Sequence, residues 1–124
     1  MSRDVLRDKA IALVGAGGKM GTRIRNNLLR DGRTLLLIEK SARSREAMGR
    51  EGLAATGDYA GIAAADYVVL AVPDRLIGSV SSEITPTMKA GAVMILLDPA
   101  AAYANDLARR SDCTFVVTHP CHPA

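Results

Sequence analysis

Short apolar runs alternate with stretches of helical periodicity along the chain. Ala10–Gly15 ("AIALVG") reads as a buried strand, rich in Ile, Leu and Val. Lys19–Gly32 ("KMGTRIRNNLLRDG") places Met20, Ile24 and Leu28 at i, i+4 and i+8, one face of a helix, and Gly32 supplies its stop. Thr34–Glu39 ("TLLLIE") predicts a second strand, and Ser41–Gly52 a helix with Ser41 as N-cap and a terminal glycine. A short "LAAT" segment and an Ala-rich helical piece at 59–65 lead into Tyr67–Val72 ("YVVLAV"), the clearest strand. Pro73-Asp74 opens a helix from Arg75 to about Thr85, with Ile77, Val80 and Ile84 on its apolar side. Ala92–Leu97 is a further strand closed by Asp98-Pro99, Ala100–Arg110 a helix, and Cys113–Val117 a last strand.

Strands that are apolar throughout, joined through helices and not through two-residue hairpins, belong in a parallel sheet covered on both faces. Each crossover is expected to be right-handed. The pattern therefore predicts a doubly wound α/β sheet of Rossmann type. No internal repeat, linker or low-complexity tract interrupts it, so residues 1–124 read as one domain. The abrupt ending near Ala124 suggests a piece of something longer.

Composition narrows the class. Of the 124 residues, 48% are hydrophobic and 23% charged, the balance of a globular chain and not a disordered one. No apolar run approaches the ~20 residues that cross a bilayer, and the opening "MSRD" is unlike a signal peptide, so a cytoplasmic protein is expected. Residues 1–50 hold twelve Lys/Arg against five Asp/Glu, and the remainder four against eight. Four aromatic residues, none interleaved with the arginines, leave no stacking platform for nucleic acid. The basic residues read instead as a solvated helix face and as help for an anionic cofactor. Cys113 and Cys121 have no zinc-finger spacing and read as free thiols, with no metal site expected in "THPCHP".

The chemistry lies in the first turn. A strand running into Gly15-Ala-Gly-Gly-Lys-Met-Gly21 and then a helix is the context that a dinucleotide-binding loop requires. One glycine permits the turn, another lets a pyrophosphate approach the backbone, and a third seats the helix on the strand. The free N–H groups of that helix face the phosphates. The spacing departs from plain G-x-G-x-x-G, since Met20 stands sixth and the glycine, Gly21, seventh. Gly15, Gly17, Gly18, Lys19, Met20 and Gly21 form the loop's candidate cofactor set, with Gly15 making the turn and Gly17 and Gly18 opening the backbone.

Glu39 ends the second strand, eighteen residues after Gly21. An acid there accepts hydrogen bonds from the adenine ribose hydroxyls and repels a 2′-phosphate, which points to NAD over NADP. Lys40, Ser41, Arg43 and Arg45 pull the other way. "LAVPD" closes the strand expected beside the first, and Val72 and Pro73 are candidate cofactor contacts. Asp74 reads as a helix N-terminal charge. Hydride transfer also needs a proton carrier, for which His119 is the candidate; His122 reads as part of a proline-stiffened connector.

Together "VGAGGKMG", "LLLIEKS", "DYVVLAVPD", "LLDPAAAYA" and "THPCHP" resemble the NAD-binding half of the 6-phosphogluconate dehydrogenase-like and ketol-acid reductoisomerase-like oxidoreductases. The glycine stretch also resembles those of dihydrodipicolinate reductase and prephenate dehydrogenase. "DPAAAYA" and "THPCHP" favour the D-apionate oxidoisomerase group. The resemblance implies a mainly helical C-terminal domain that binds a small hydroxy (sugar) acid and dimerises, with oxidation coupled to isomerisation. Alternatives are a 6-phosphogluconate-like or other 3-hydroxy acid substrate, or a dinucleotide-sensing module without catalysis of its own.

Overall fold

The computed structural model describes residues 10–30, 35–96 and 112–117. Six parallel strands form one sheet: β1 (Ile11–Val14), β2 (Leu35–Ile38), β3 (Ala55–Thr56), β4 (Tyr67–Leu70), β5 (Val93–Leu96) and β6 (Thr114–Val117). Their order is β3-β2-β1-β4-β5-β6, so the chain winds outward in one direction from β1 and in the other from β4. Three α-helices are described: α1 (Lys19–Arg30), α2 (Ala42–Arg50) and α3 (Asp74–Ile84). Register brings Val14 level with Ile38 on one side and with Leu70 on the other. The carboxyl ends of the three central strands therefore finish together, where the winding reverses. That is the position at which open α/β sheets bind ligands.

Alternation along each strand divides the core in two. Leu13, Leu37 and Val69 point to one face, where Met48 of α2 and Ile24 of α1 cover them. Ala12, Val14, Ile38, Val68, Leu70, Met94 and Leu96 point to the other, under Ile77 and Ile84 of α3 and Ile62. Each fully buried Leu or Ile contributes about 1.5–3 kcal/mol over an exposed one. This two-sided burial is why the strands read as unbroken apolar runs.

The structure departs from the sequence pattern in several places. The helical piece expected at 59–65 takes the form of a 3-10 helix over residues 60–64. Within "LAAT", Ala55 and Thr56 become an edge strand beside β2. On α1 the buried positions are Gly21 and Arg25, with Ile24 and Leu28 half-buried, while Met20 is 39% exposed. The apolar stripe is thus rotated, because Gly21 must press against the turn below it. Arg25 is not part of a solvated face: its side chain is 4% exposed and its Nη2 lies 3.4 Å from Glu51 at the end of α2. Its Nε and Nη1 have no partner among the described residues. Gly32, the stretch 100–110, Cys121 and the histidines lie outside the described residues. Among those described, no helix is long and apolar enough to cross a membrane, and no cluster of three His, Cys, Asp or Glu could hold a metal.

Candidate functional site

The glycine loop is tied to its neighbours by backbone bonds. The N–H groups of Gly15 and Ala16 both donate to the carbonyl of Ile38 at the end of β2, at 2.9 and 3.1 Å. Gly15 has φ +87°, a left-handed conformation that a side chain disfavours, and a Cβ there would lie 2.5 Å from the Ala71 carbonyl oxygen. A Cβ on Gly21 would overlap the Gly15 carbonyl. These two glycines make the turn and let α1 sit on it.

Gly17 does a different job from the one expected. A Cβ there would meet Ser44 Cβ at 2.7 Å and Glu39 Oε1 at 2.9 Å. Its side chain is missing to admit Glu39 and α2. Gly18 differs from the other loop glycines: among the described residues a Cβ would find only the Gly15 oxygen, 3.6 Å away, in ordinary contact. No described residue fills that space, and it opens on a cavity.

The first helical bond runs from the Thr22 N–H to the Gly18 carbonyl, at 2.8 Å. The N–H groups of Lys19, Met20 and Gly21 precede this ladder, as the first donors of any helix do. The first turn of α1 holds no acidic residue. A lysine at that end works against the helix dipole, and an anion would satisfy both.

Glu39 is held in place. Its Oε1 accepts from the Gly17 N–H at 2.8 Å and its Oε2 from the Ser41 N–H at 3.1 Å. Ser41 caps α2, accepting from the Ser44 N–H at 3.3 Å. Arg45 Nη1 donates to the carbonyls of Glu39 and Lys40, at 2.8 and 3.0 Å. The cations that follow Glu39 are thus partly committed, and Arg45 fastens backbone.

A cavity of about 190 Å³ opens at the carboxyl edge. Gly15 and Gly18 stand at its base, Glu39, Lys40 and Tyr59 on the β2 side, and Val72, Pro73, Leu76 and Val80 on the α3 side. Of the residues expected from sequence, Gly15, Gly18, Glu39, Val72 and Pro73 line it together. Gly17 and Gly21 support it from behind, while Lys19 and Met20 stand exposed at the start of α1, outside the lining. His119 lies outside the described residues.

Lys40, Tyr59, Leu76 and Val80 as cavity walls were not legible as such. Leu76 carried a signal: it falls off the stripe of Ile77, Val80 and Ile84, and is 38% exposed. Tyr59 is positioned by a turn in which Asp58 accepts from the Ala60 N–H and the Thr56 hydroxyl, both at 3.0 Å. Those two bonds, and the nearby Lys40 ammonium, outweigh slight desolvation and hold the Asp58 carboxyl below its ordinary value. Burial, then the charges of Glu83 and Glu39, push the Tyr59 phenol up, so the ring is neutral at physiological pH.

An apolar slot, a backbone cradle left open by Gly18, a helix N-terminus without acids and a fixed carboxylate fit the adenosine and pyrophosphate of a dinucleotide. Comparison with known proteins agrees. Residues 5–123 match the acetohydroxy acid isomeroreductase NADPH-binding domain family. The D-apionate oxidoisomerase of Blautia hydrogenotrophica is 46% identical over 116 residues, 92% of this chain and 40% of that protein. That of Pectobacterium atrosepticum is 43% identical, over 94% and 41%. The chain thus spans about two fifths of the length of these curated relatives.

Among solved structures, a semialdehyde dehydrogenase NAD-binding protein from Cupriavidus necator, in complex with calcium and NAD, superposes with a TM-score of 0.85 at 40% identity. The match covers 94% of this chain and 43% of that one. An NADH-preferring ketol-acid reductoisomerase from an uncultured archean shares the fold, with a TM-score of 0.83 at 21% identity over 94% and 37%. The chain belongs to the acetohydroxy acid isomeroreductase NADPH-binding domain family of oxidoreductases.

Proposed function

We propose that this chain is the NAD-binding domain of a cytoplasmic oxidoreductase acting on a small hydroxy acid, with D-apionate the leading substrate. Residues 1–124 would bind the dinucleotide, and a C-terminal domain would bind substrate and dimerise, as the greater length of the relatives suggests. The observation that carries the cofactor reading is the pairing of Glu39 with the loop. Its carboxylate sits against the Gly17 N–H at 2.8 Å, at the edge of the cavity that Gly18 leaves open.

In this reading Gly15 and Gly21 fix the turn, and Gly18 with the first N–H groups of α1 receives the pyrophosphate. Glu39 accepts from the adenine ribose hydroxyls, and its charge disfavours a 2′-phosphate. Val72 and Pro73 bound the path toward the nicotinamide. Lys19 adds positive charge beside the phosphates, and Met20 an apolar surface at the same helix end. NAD, when bound, supplies the acceptor for a hydride from a carbinol carbon. His119 is the proposed proton carrier for the hydroxyl.

Amide hydrogen exchange with and without NAD tests the site. Slower exchange at residues 15–21 and 70–72 is expected on adding NAD, and unchanged exchange there would refute it. For the reaction, the full-length protein should reduce NAD with D-apionate in preference to 6-phosphogluconate. Binding without turnover of either would favour a sensing module.

A further inference from the structure

The segment after Glu39 carries Lys40, Arg43 and Arg45, a basic cluster of the kind that takes a 2′-phosphate. For Arg45 and Lys40 the geometry works against that use. Arg45 is bonded to the carbonyls of Glu39 and Lys40, and its Nη1 lies where a Cβ on Gly57 would be only 2.6 Å away. The guanidinium is therefore enclosed by backbone on two sides. Lys40 is held in another manner. Its Nζ lies 4.2 Å from the centre of the Tyr59 ring, and the Asp58 carboxylate one residue earlier attracts the same ammonium.

Tyr59 is a firm anchor. Its ring packs at the margin of the core, and its carbonyl accepts from the Ile62 N–H at 3.0 Å. The Asp58 turn fixes the backbone just before it.

We propose that Tyr59 is a specificity-determining residue: by holding the Lys40 ammonium on its ring face, it keeps that cation from a 2′-phosphate and preserves the preference that Glu39 establishes. This rests on the dinucleotide reading of the cavity. Lys40 and Tyr59 both line that cavity beside Glu39, so a released Lys40 has a short path to a substituent on the adenine ribose. An exposed cation–π contact restrains a lysine by a factor of about two to five. Selectivity should shift by that factor when the ring is removed.

The test is calorimetric titration of the chain with NAD and with NADP, for wild type, Tyr59→Leu, Tyr59→Phe, and Tyr59→Leu combined with Lys40→Met. Tyr59→Leu should raise NADP affinity relative to NAD by about two- to fivefold. Tyr59→Phe, which keeps a ring face, should retain the wild-type ratio. Adding Lys40→Met should abolish the gain. If Tyr59 only walls the adenine slot, both nucleotides weaken together and the ratio stays fixed, which overturns the proposal. Wild type that binds NAD with a ratio indifferent to Tyr59 refutes this inference alone. Wild type that binds neither nucleotide refutes the cofactor reading, and this inference with it.

Discussion

Gly18→Ala separates a residue that a ligand needs from one that the fold needs. Among the described residues a methyl group on Gly18 meets only the Gly15 oxygen, at 3.6 Å, and Gly18 is not among the glycines with positive φ. Two small effects on stability then oppose each other. Restricting the unfolded chain stabilises by about 0.4–1 kcal/mol. Losing glycine where the carbonyl begins the helical ladder costs several tenths of a kcal/mol, since alanine caps poorly. The sum is within about 0.5 kcal/mol of zero, so the urea midpoint should hardly move. The same methyl projects into the space assigned to the pyrophosphate, and NAD affinity should fall at least about tenfold, some 1.4 kcal/mol. Gly15→Ala is the contrast. Left-handed strain of about 1–2 kcal/mol adds to a clash with the Ala71 carbonyl, and overpacking costs about 1–3 kcal/mol more. Its loss should appear first as unfolding. An NAD affinity unchanged by Gly18→Ala, measured by calorimetry on folded protein, would refute the placement of the phosphates.

Other residues give further tests. Glu39→Gln keeps an oxygen for the Gly17 N–H but removes the charge and the acceptor for the Ser41 N–H, so the affinity ratio of NADP to NAD should rise at least about tenfold while stability falls by about 1 kcal/mol; an unchanged ratio would remove Glu39 from the ribose. Arg25→Met replaces a buried cation whose Nε and Nη1 lack partners among the described residues. Urea denaturation should show it neutral or stabilised by about 1 kcal/mol, whereas a large loss would mean that the ion pair with Glu51 holds the fold. Asp58 has its carboxyl held below its ordinary value of 3.8, so the turn's stabilisation is present above that pH and lost as pH falls through the lower folded value. The melting-temperature gap between wild type and Asp58→Ala should therefore be widest near neutrality and narrow below pH 3.8.

The architecture was legible because β1, β2, β4 and β5 are buried on both faces and read as continuous apolar runs. The loop was legible because glycine spacing reports backbone constraint directly. What escaped was set by tertiary contact. Met20, Ile24 and Leu28 share a helical face, but the required seat of Gly21 on Gly15 rotates α1 and turns Met20 outward. Arg25 then falls inside, where no periodicity argument would put a cation. Gly17 looked interchangeable with Gly18 until Glu39 and Ser44 were found against it. Arg45 counted by charge toward NADP, yet its geometry spends it on two carbonyls. Tyr59 lies twenty residues from Glu39 in sequence, and only the edge pairing of Thr56 with Ile38 brings it to the cavity.

The central claim is that the glycine loop and Glu39 together bind NAD and select it over NADP. Calorimetric titration of the wild-type chain with each nucleotide tests this most directly. Saturable NAD binding, at least about tenfold tighter than NADP, is the predicted result. No NAD binding at millimolar nucleotide, or NADP binding as tight as NAD, would contradict it.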